Sequence, residues 1–537
     1  MRARARGRHS APSIAEQPLS TAGEAGVFSS EIGIKQQIVW TLPIALCYAV
    51  IGTWGHFDFS PLMGYYNMLA DAFLAGNLHI AITPEQYYLH DMIPYEGKYY
   101  LQWGPVPAFF HLGFKLAGVT LTDRVACMLT GWISSLIFLS ILLRLRGRFF
   151  PETPLGAYRW LLYAFALATP TAMVSLRGSV YHESIAFGGL FILLAFGALL
   201  RYLEEPVWSW ALLAGLAIGL AAGCRVSLVL YGLAPGLLII AYFLMKKVEL
   251  RRALLHVAVL SLPVVVSGLL QMAYNDARFG SPFDYGNRYL PDATGQAAFS
   301  LTYLWENIAQ YLLALPEISA DFPWIAHNGW QPIEHLTRSE DMSSLLLMSP
   351  FVLLGLACFR LKSSENDQLR LFAAAAVGSS GLMLVVMLCF AAASRRYMQD
   401  FMPVMMIAAG IGLGYIGRRG PQFWRKWRVV GWAVVIVTAS LHAQLSFAQG
   451  FVWEPPDPNV VKTFVAWTPS LLRFSRGPKL AEQAAMAGND LGTLYLRQGR
   501  VEDAYREFAQ AAELMPGSPV ILKNLEVART RLQRGTR

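Results

Sequence analysis

The sequence predicts an all-α, polytopic membrane protein of about eleven transmembrane helices with a small helical domain at its C-terminal end. Three observations predict it. Hydrophobic residues make up 55% of the 537 positions and charged residues 15%, where a water-soluble chain carries about a quarter charged. The apolar residues fall in blocks of the length that crosses about 30 Å of hydrocarbon. The last ninety or so residues change to a polar, helical pattern.

The blocks lie near 37–54, 124–143, 158–175, 183–202, 207–222, 226–245, 253–273, 344–360, 371–393, 401–417 and 429–447. Arg2, Arg4, Arg6 and Arg8 resemble the basic start of a signal peptide, but a long polar stretch follows them. Residues 37–54 therefore read as an uncleaved first span, with residues 1–36 a basic cytoplasmic tail. Residues 105–118 are apolar but short and read as a helix lying at the membrane surface. With that choice the basic groups at 144–148, 201, 246–252, 360–370 and 418–428 share the side of the tail, as the positive-inside rule requires. The net charge of +9 thus reports topology, not a nucleic-acid partner. Two long outer loops, 55–123 and 274–343, face the other side, which in a bacterial inner membrane is the periplasm. An odd number of spans sends the C-terminal part there too. Cys47, Cys127, Cys224, Cys358 and Cys389 all sit in apolar segments and read as small buried hydrophobes.

Residues 448–478, with the run WEPPDP at 453–458, form a linker to a helical domain over 479–537. There Leu491, Gly492, Tyr495, Ala504, Phe508, Ala511 and Pro516 match the spacing of a tetratricopeptide repeat, with Gly488 in place of the usual first Trp. One such unit cannot bury its own face, so it stacks on 459–485, on the membrane domain or on a protein partner.

The chemistry concentrates in the outer segments. In the first loop Leu62, Tyr65, Tyr66, Leu69 and Phe73 recur at helical spacing, so an amphipathic helix follows Asp58. Asp58 and Asp91 are the two candidate general bases, placed where an acceptor hydroxyl meets a lipid-borne donor. Each also has a structural alternative, Asp58 as a helix cap and Asp91 in a turn before Pro94. His56, His90 and Tyr99 are candidate substrate contacts. The pairs His56-x-Asp58 and His90-Asp91 have no spacing that demands a divalent metal. Arg177, His182 and Glu183 in LRGSVYHES, Arg225 in AAGCRVS, and Arg395 and Arg396 in ASRRYMQD are ionisable groups at helix mouths, costly there unless paired or lining a wet cavity. Their arginines suit bidentate clamping of a lipid phosphate or diphosphate. The aromatic and acidic run 274–286 suits sugar stacking or packing against the first loop. No Walker loop, dinucleotide-binding glycine turn, GxSxG or HExxH is present, so soluble nucleotide-dependent chemistry has no support.

Taken in order, these elements resemble the GT-C superfamily of integral-membrane glycosyltransferases, which contains the protein mannosyltransferases and the lipid A aminoarabinose transferases. The resemblance is carried by Asp58 after the first span, Tyr66, Leu69 and Ala70, then Gly97-Lys98-Tyr99-Tyr100 leading into Gly104-Pro105-Val106-Pro107. Arg124 opens the second span, Glu183 a later one, Arg225 follows a Gly-rich helix, and Arg396-Tyr397 precedes Pro403. It covers residues 37 to about 417. It implies a polyprenyl-phosphate-linked sugar donor, an extracytoplasmic acceptor that is a glycan, lipid or protein hydroxyl, a first-loop acid as base, and basic groups holding the donor phosphate. Family members commonly carry the acid about one helical turn before the Tyr. Asp58 lies eight residues before Tyr66, so Asp91 stands beside it as the alternative. Two other readings predict different features. A lipid-linked glycan ligase or polymerase places its catalytic residues in a later outer loop, a transporter shows internal duplication with paired broken helices, and a non-catalytic scaffold recruits an assembly through its repeat domain.

Overall fold

A computed structural model of the chain describes residues 32–53, 55, 57–82, 92–178, 180–290, 297–318, 324–326, 338–340, 342–362, 365–453, 485, 488, 489, 491–493, 495, 496 and 499–535. Every apolar block is helical, and among the described residues seven helices are long and apolar enough to cross a membrane. The protein is a multi-pass membrane protein. The long helices include α1 (Ile34–Gly52), α4 (Asp123–Phe149), α7 (Val180–Glu204), α10 (Leu250–Phe279), α13 (Asp367–Leu388) and α15 (Pro421–Trp453). Shorter apolar helices, α8 (Trp208–Cys224) and α14 (Met402–Gly417), pack among them. α7 is almost wholly buried inside the protein and α10 mostly exposed, so α7 is the central post and α10 a peripheral helix with an apolar flank.

Three blocks read as single spans are divided. Residues 158–175 form α5 (Leu155–Leu167) and α6 (Pro170–Leu176). Pro170 has no N–H for a continuing helix and instead takes the first position of α6, where Thr169 accepts the N–H of Thr171 at 3.2 Å. Residues 344–360 break in the same way at Ser349, before Pro350, into α12 (Leu345–Met348) and a 3-10 helix. Residues 226–245 begin as a 3-10 segment, Val226–Gly232, before α9 (Leu233–Met245).

The segment between α1 and α4 holds α2 (Tyr65–Leu74), a hairpin of β1 (Met92–Tyr95) and β2 (Lys98–Leu101), and α3 (Val106–Leu116). The amphipathic helix expected after Asp58 and the short helix expected at 105–118 are present as α2 and α3. The hairpin is an addition to the all-helical expectation. Its two-residue turn, Glu96 and Gly97, has φ of 49° and 72°, the sign that a tight hairpin turn matching strand twist requires. The end of α10 and the residues after it pack on this hairpin: Tyr95 lies against Phe279 and Tyr289, and Arg278 donates to the carbonyl of Leu101 at 2.8 Å. Further on, after the short helix α11 (Leu304–Ile308), β3 (Glu317–Ile318) pairs with β4 (Ile325–Ala326). A later strand, β5 (Arg338–Glu340), runs parallel to β6 (Ala392–Ser394).

Four of the basic residues cross-link neighbouring helix ends. Arg144 and Arg201 both donate to Oε2 of Glu204 at 2.7 and 2.9 Å, Arg148 donates to Gln368, and Arg418 donates to Glu365 at 2.6 Å. These bonds tie the ends of α4, α7, α13 and α14.

In the C-terminal part, helices Val501–Leu514 and Pro519–Gly535 bury Ala504, Phe508, Ala511, Ile521 and Ala528. A Cβ on Gly492 would lie 2.7 Å from the ring of Phe508, so only glycine permits that approach.

Candidate functional site

The start of α4 organises the site. Thr122 caps the helix, and Asp123 behind it is buried with each carboxylate oxygen taking two backbone N–H groups. Oδ1 accepts from Leu62 and Arg124, both at 2.9 Å, and Oδ2 from Met63 and Gly64 at 2.8 and 2.9 Å. Thr122 donates to the carbonyl of Phe59, and Arg124 donates through Nε to Ser60 and through Nη1 to Gly52 at the end of α1. The segment 57–64 is therefore strapped to α4 at both ends. Asp58 sits in this strap, exposed, with Oδ1 accepting the N–H of Ser60 at 2.9 Å. That bond closes a local turn and does not cap α2, whose first residue is Tyr65.

Arg177 follows α6 and its neighbour Gly178 packs on the same turn of α4. A Cβ there would lie 2.2 Å from Cα of Arg124 and 2.7 Å from the carbonyl carbon of Asp123. One turn thus holds both the Asp58 strap and the Arg177 corner. On the other side of that corner His182, in the first turn of α7, is within electrostatic reach of Arg177, Arg395 and Arg396. The two arginines open a single 3-10 turn, Arg395–Asp400, that packs between α6 and α7. Arg395 is 1% exposed and its Nε lies 3.1 Å from Sδ of Met173, while Thr171 anchors the turn by donating to Oε1 of Gln399 at 3.1 Å. Three guanidinium groups and an imidazole from three elements so build one positive, largely buried corner.

Arg225 closes the same turn from the end of α8. Its guanidinium contacts the Tyr397 ring face and pairs with Asp400. Tyr231 donates to the Asp400 carbonyl at 2.8 Å. Burial pushes the Asp400 carboxyl above the usual carboxylate range, while Arg225 pulls it back down. Close packing brings the first loop here as well, since a Cβ on Gly104 would fall 2.0 Å from the carbonyl oxygen of Gly223.

Of the residues picked from sequence, Arg177, His182, Arg395 and Arg396 come together, with Arg225 reaching them through Asp400. Glu183 is fully buried and turned toward His111. Tyr99 lies in β2, where its carbonyl accepts the N–H of Ile80 at 2.8 Å. His56, His90 and Asp91 lie outside the described residues. Among the described residues no three His, Cys, Asp or Glu side chains gather as a metal site. The sequence reading passed over Asp123, Asp400 and His111. Asp123 carried a signal, as an acid in the Thr122-Asp123-Arg124 start of an apolar block; a lone His in FFHLGF carried none.

No family model matches the sequence, and no curated protein matches it. Among solved structures, the fold is similar to ArnT from Cupriavidus metallidurans bound to undecaprenyl phosphate, at 16% identity and a TM-score of 0.44, over 93% of this chain and 77% of that one. It is also similar to the oligosaccharyltransferase of Archaeoglobus fulgidus in the apo form, at 12% identity and a TM-score of 0.44, over 81% of this chain. A third similar structure is archaeal AglB in complex with an inhibitory peptide and a dolichol-phosphate, at 11% identity and a TM-score of 0.43. The match spans 60% of the length of each archaeal chain. These are distant likenesses, and the chemistry of this chain has to come from its own residues.

Proposed function

We propose that the protein is a membrane glycosyltransferase that moves a sugar from a polyprenyl-phosphate-linked donor to an extracytoplasmic acceptor hydroxyl. The observation that carries this reading is the shared turn of α4: the strap bearing Asp58 and the corner bearing Arg177, with His182, Arg395 and Arg396 around it, are both built on Asp123 and Arg124. A carboxylate and a cluster of fixed cations beside a greasy bundle suit a substrate with an apolar tail and an anionic headgroup.

In this reading the acceptor hydroxyl gives its proton to Asp58, or to Asp91, as its oxygen attacks the anomeric carbon. The anomeric carbon–oxygen bond to phosphate breaks and its electron pair goes to the phosphate, leaving a polyprenyl phosphate. Negative charge grows on that phosphate in the transition state, and in this reading Arg177, Arg395 and Arg396 stabilise it while Arg225, paired with Asp400, holds their turn in place. Holding donor and acceptor together supplies proximity. The basic end of the bundle then faces the cytoplasm of a bacterial inner membrane, the N-terminal tail lies with it, and the C-terminal repeat-like domain lies outside, where it docks a protein partner.

Mass spectrometry of lipid-linked sugars in a deletion strain tests the reading directly. A polyprenyl-linked sugar is expected to accumulate and one envelope glycan to lose a residue. Restoration of full transfer by a chain carrying Asp58→Ala and Asp91→Ala together would show that neither carboxylate is the base.

A further inference from the structure

His111 sits in the middle of α3, whose only other charged or polar side chain is Lys115 near its end, and its ring is fully buried. Nδ1 lies 3.1 Å from the carbonyl oxygen of Leu121, and Nε2 meets Oε1 of Glu183, itself 0% exposed. A carbonyl oxygen only accepts, so Nδ1 carries a hydrogen and donates to Leu121. One proton is then shared between Nε2 and the Glu183 carboxyl. The other oxygen, Oε2, is buried with no hydrogen-bond partner, so the imidazole is the group that satisfies this carboxyl. Glu183 is in the first turn of α7, directly after His182, which is within electrostatic reach of Arg177, Arg395 and Arg396. The backbone that orients His182 is therefore anchored, one residue on, to a side chain of the first outer loop.

We propose that His111 is a positioning residue: through its bond to Glu183 it sets the first turn of α7 so that His182 and the three arginines converge on one phosphate. The inference rests on the reading of that corner as the lipid-phosphate site, and it gives Glu183 an anchoring role in place of a direct substrate contact. It also makes the first loop and the phosphate corner one unit, since moving α3 moves His182.

The test uses the full chain in detergent micelles, with undecaprenyl phosphate as probe and thermal unfolding recorded in parallel. His111→Phe fills the volume without the bond and is expected to weaken binding about tenfold or more. His111→Gln, whose amide donates to Glu183, is expected to bind within about threefold of wild type. Gly113→Ala, on the same helix with nothing near its Cβ position, is expected to bind as wild type. Equal binding by His111→Phe and wild type, or equal losses in the Phe and Gln variants, overturns the proposal. Where His111→Phe does not fold, Glu183→Gln against Glu183→Ala reads the same bond from its other side with the same expected split. Arg177→Ala, Arg395→Ala and Arg396→Ala separate the two levels. If they bind as wild type, the phosphate corner itself is misread. If they lose binding while His111→Phe keeps it, only the positioning role fails.

Discussion

Arg225 places both Nε and Nη2 on a single oxygen of Asp400, at 3.1 and 2.9 Å, with Ser227 at 3.5 Å from the same Oδ2. The side chains are 14% and 1% exposed, so neither charge is well served by water. Asp400→Ala strands the guanidinium, at an expected cost of about 3 kcal/mol in thermal unfolding. The pH dependence has a definite sign. Because burial raises the folded-state carboxyl above its unfolded value of about 3.9, the folded protein holds this proton longer as pH rises. The stability that Asp400 contributes is present below the unfolded value and lost as pH climbs through the folded one. The unfolding temperature of wild type should fall relative to that of Asp400→Asn across this window, and parallel curves would count against it.

Asp123 is expected to matter more for architecture than for charge. In Asp123→Ala the N–H groups of Leu62, Met63 and Gly64 lose their acceptor, at a cost of about 3 kcal/mol. Limited proteolysis should then cut within 57–64 faster than in wild type. An unchanged cutting rate would mean that the strap is held by other contacts.

Gly178→Ala puts a methyl group 2.2 Å from Cα and 2.3 Å from the backbone nitrogen of Arg124, where only backbone can yield. The expected result is about 1–3 kcal/mol of destabilisation and a loss of transfer of about tenfold or more, because Arg177 moves with its neighbour. Gly156→Ala, with open space around the new methyl, is the control and should match wild type in both measurements.

Phe508→Ala empties the contact among Ala504, Ala528, Tyr495 and Leu525, and is expected to cost the C-terminal helices about 3 kcal/mol or more. Hydrogen exchange over 501–535 should accelerate while the membrane helices keep their protection. Equal protection throughout would show that Phe508 contributes little to that fold.

Most of the fold was legible because bilayer thickness leaves few ways to read a run of apolar residues: each of the eleven blocks became helix. The breaks at Thr169-Pro170 and Ser349-Pro350 were also written in the chain, but a hydropathy window averages over a single proline. The hairpin turn at Glu96-Gly97 was hidden by the helical setting around it. At the candidate site the arginines and His182 were legible, since charge at a helix mouth is conspicuous. Their true companions were not. Asp400 and His111 earn their places by contacts with residues 175 and 72 positions away, and no local pattern announces such pairs.

The parallel pairing of β5 with β6 ends at Ser394, the residue just ahead of Arg395. Two distant stretches of chain are thereby welded at the threshold of the cationic corner. A chimera that exchanges the segment between α10 and α13 for that of another protein would have to import β5 in register, or the guanidinium pair behind it would lose the support on its leading side.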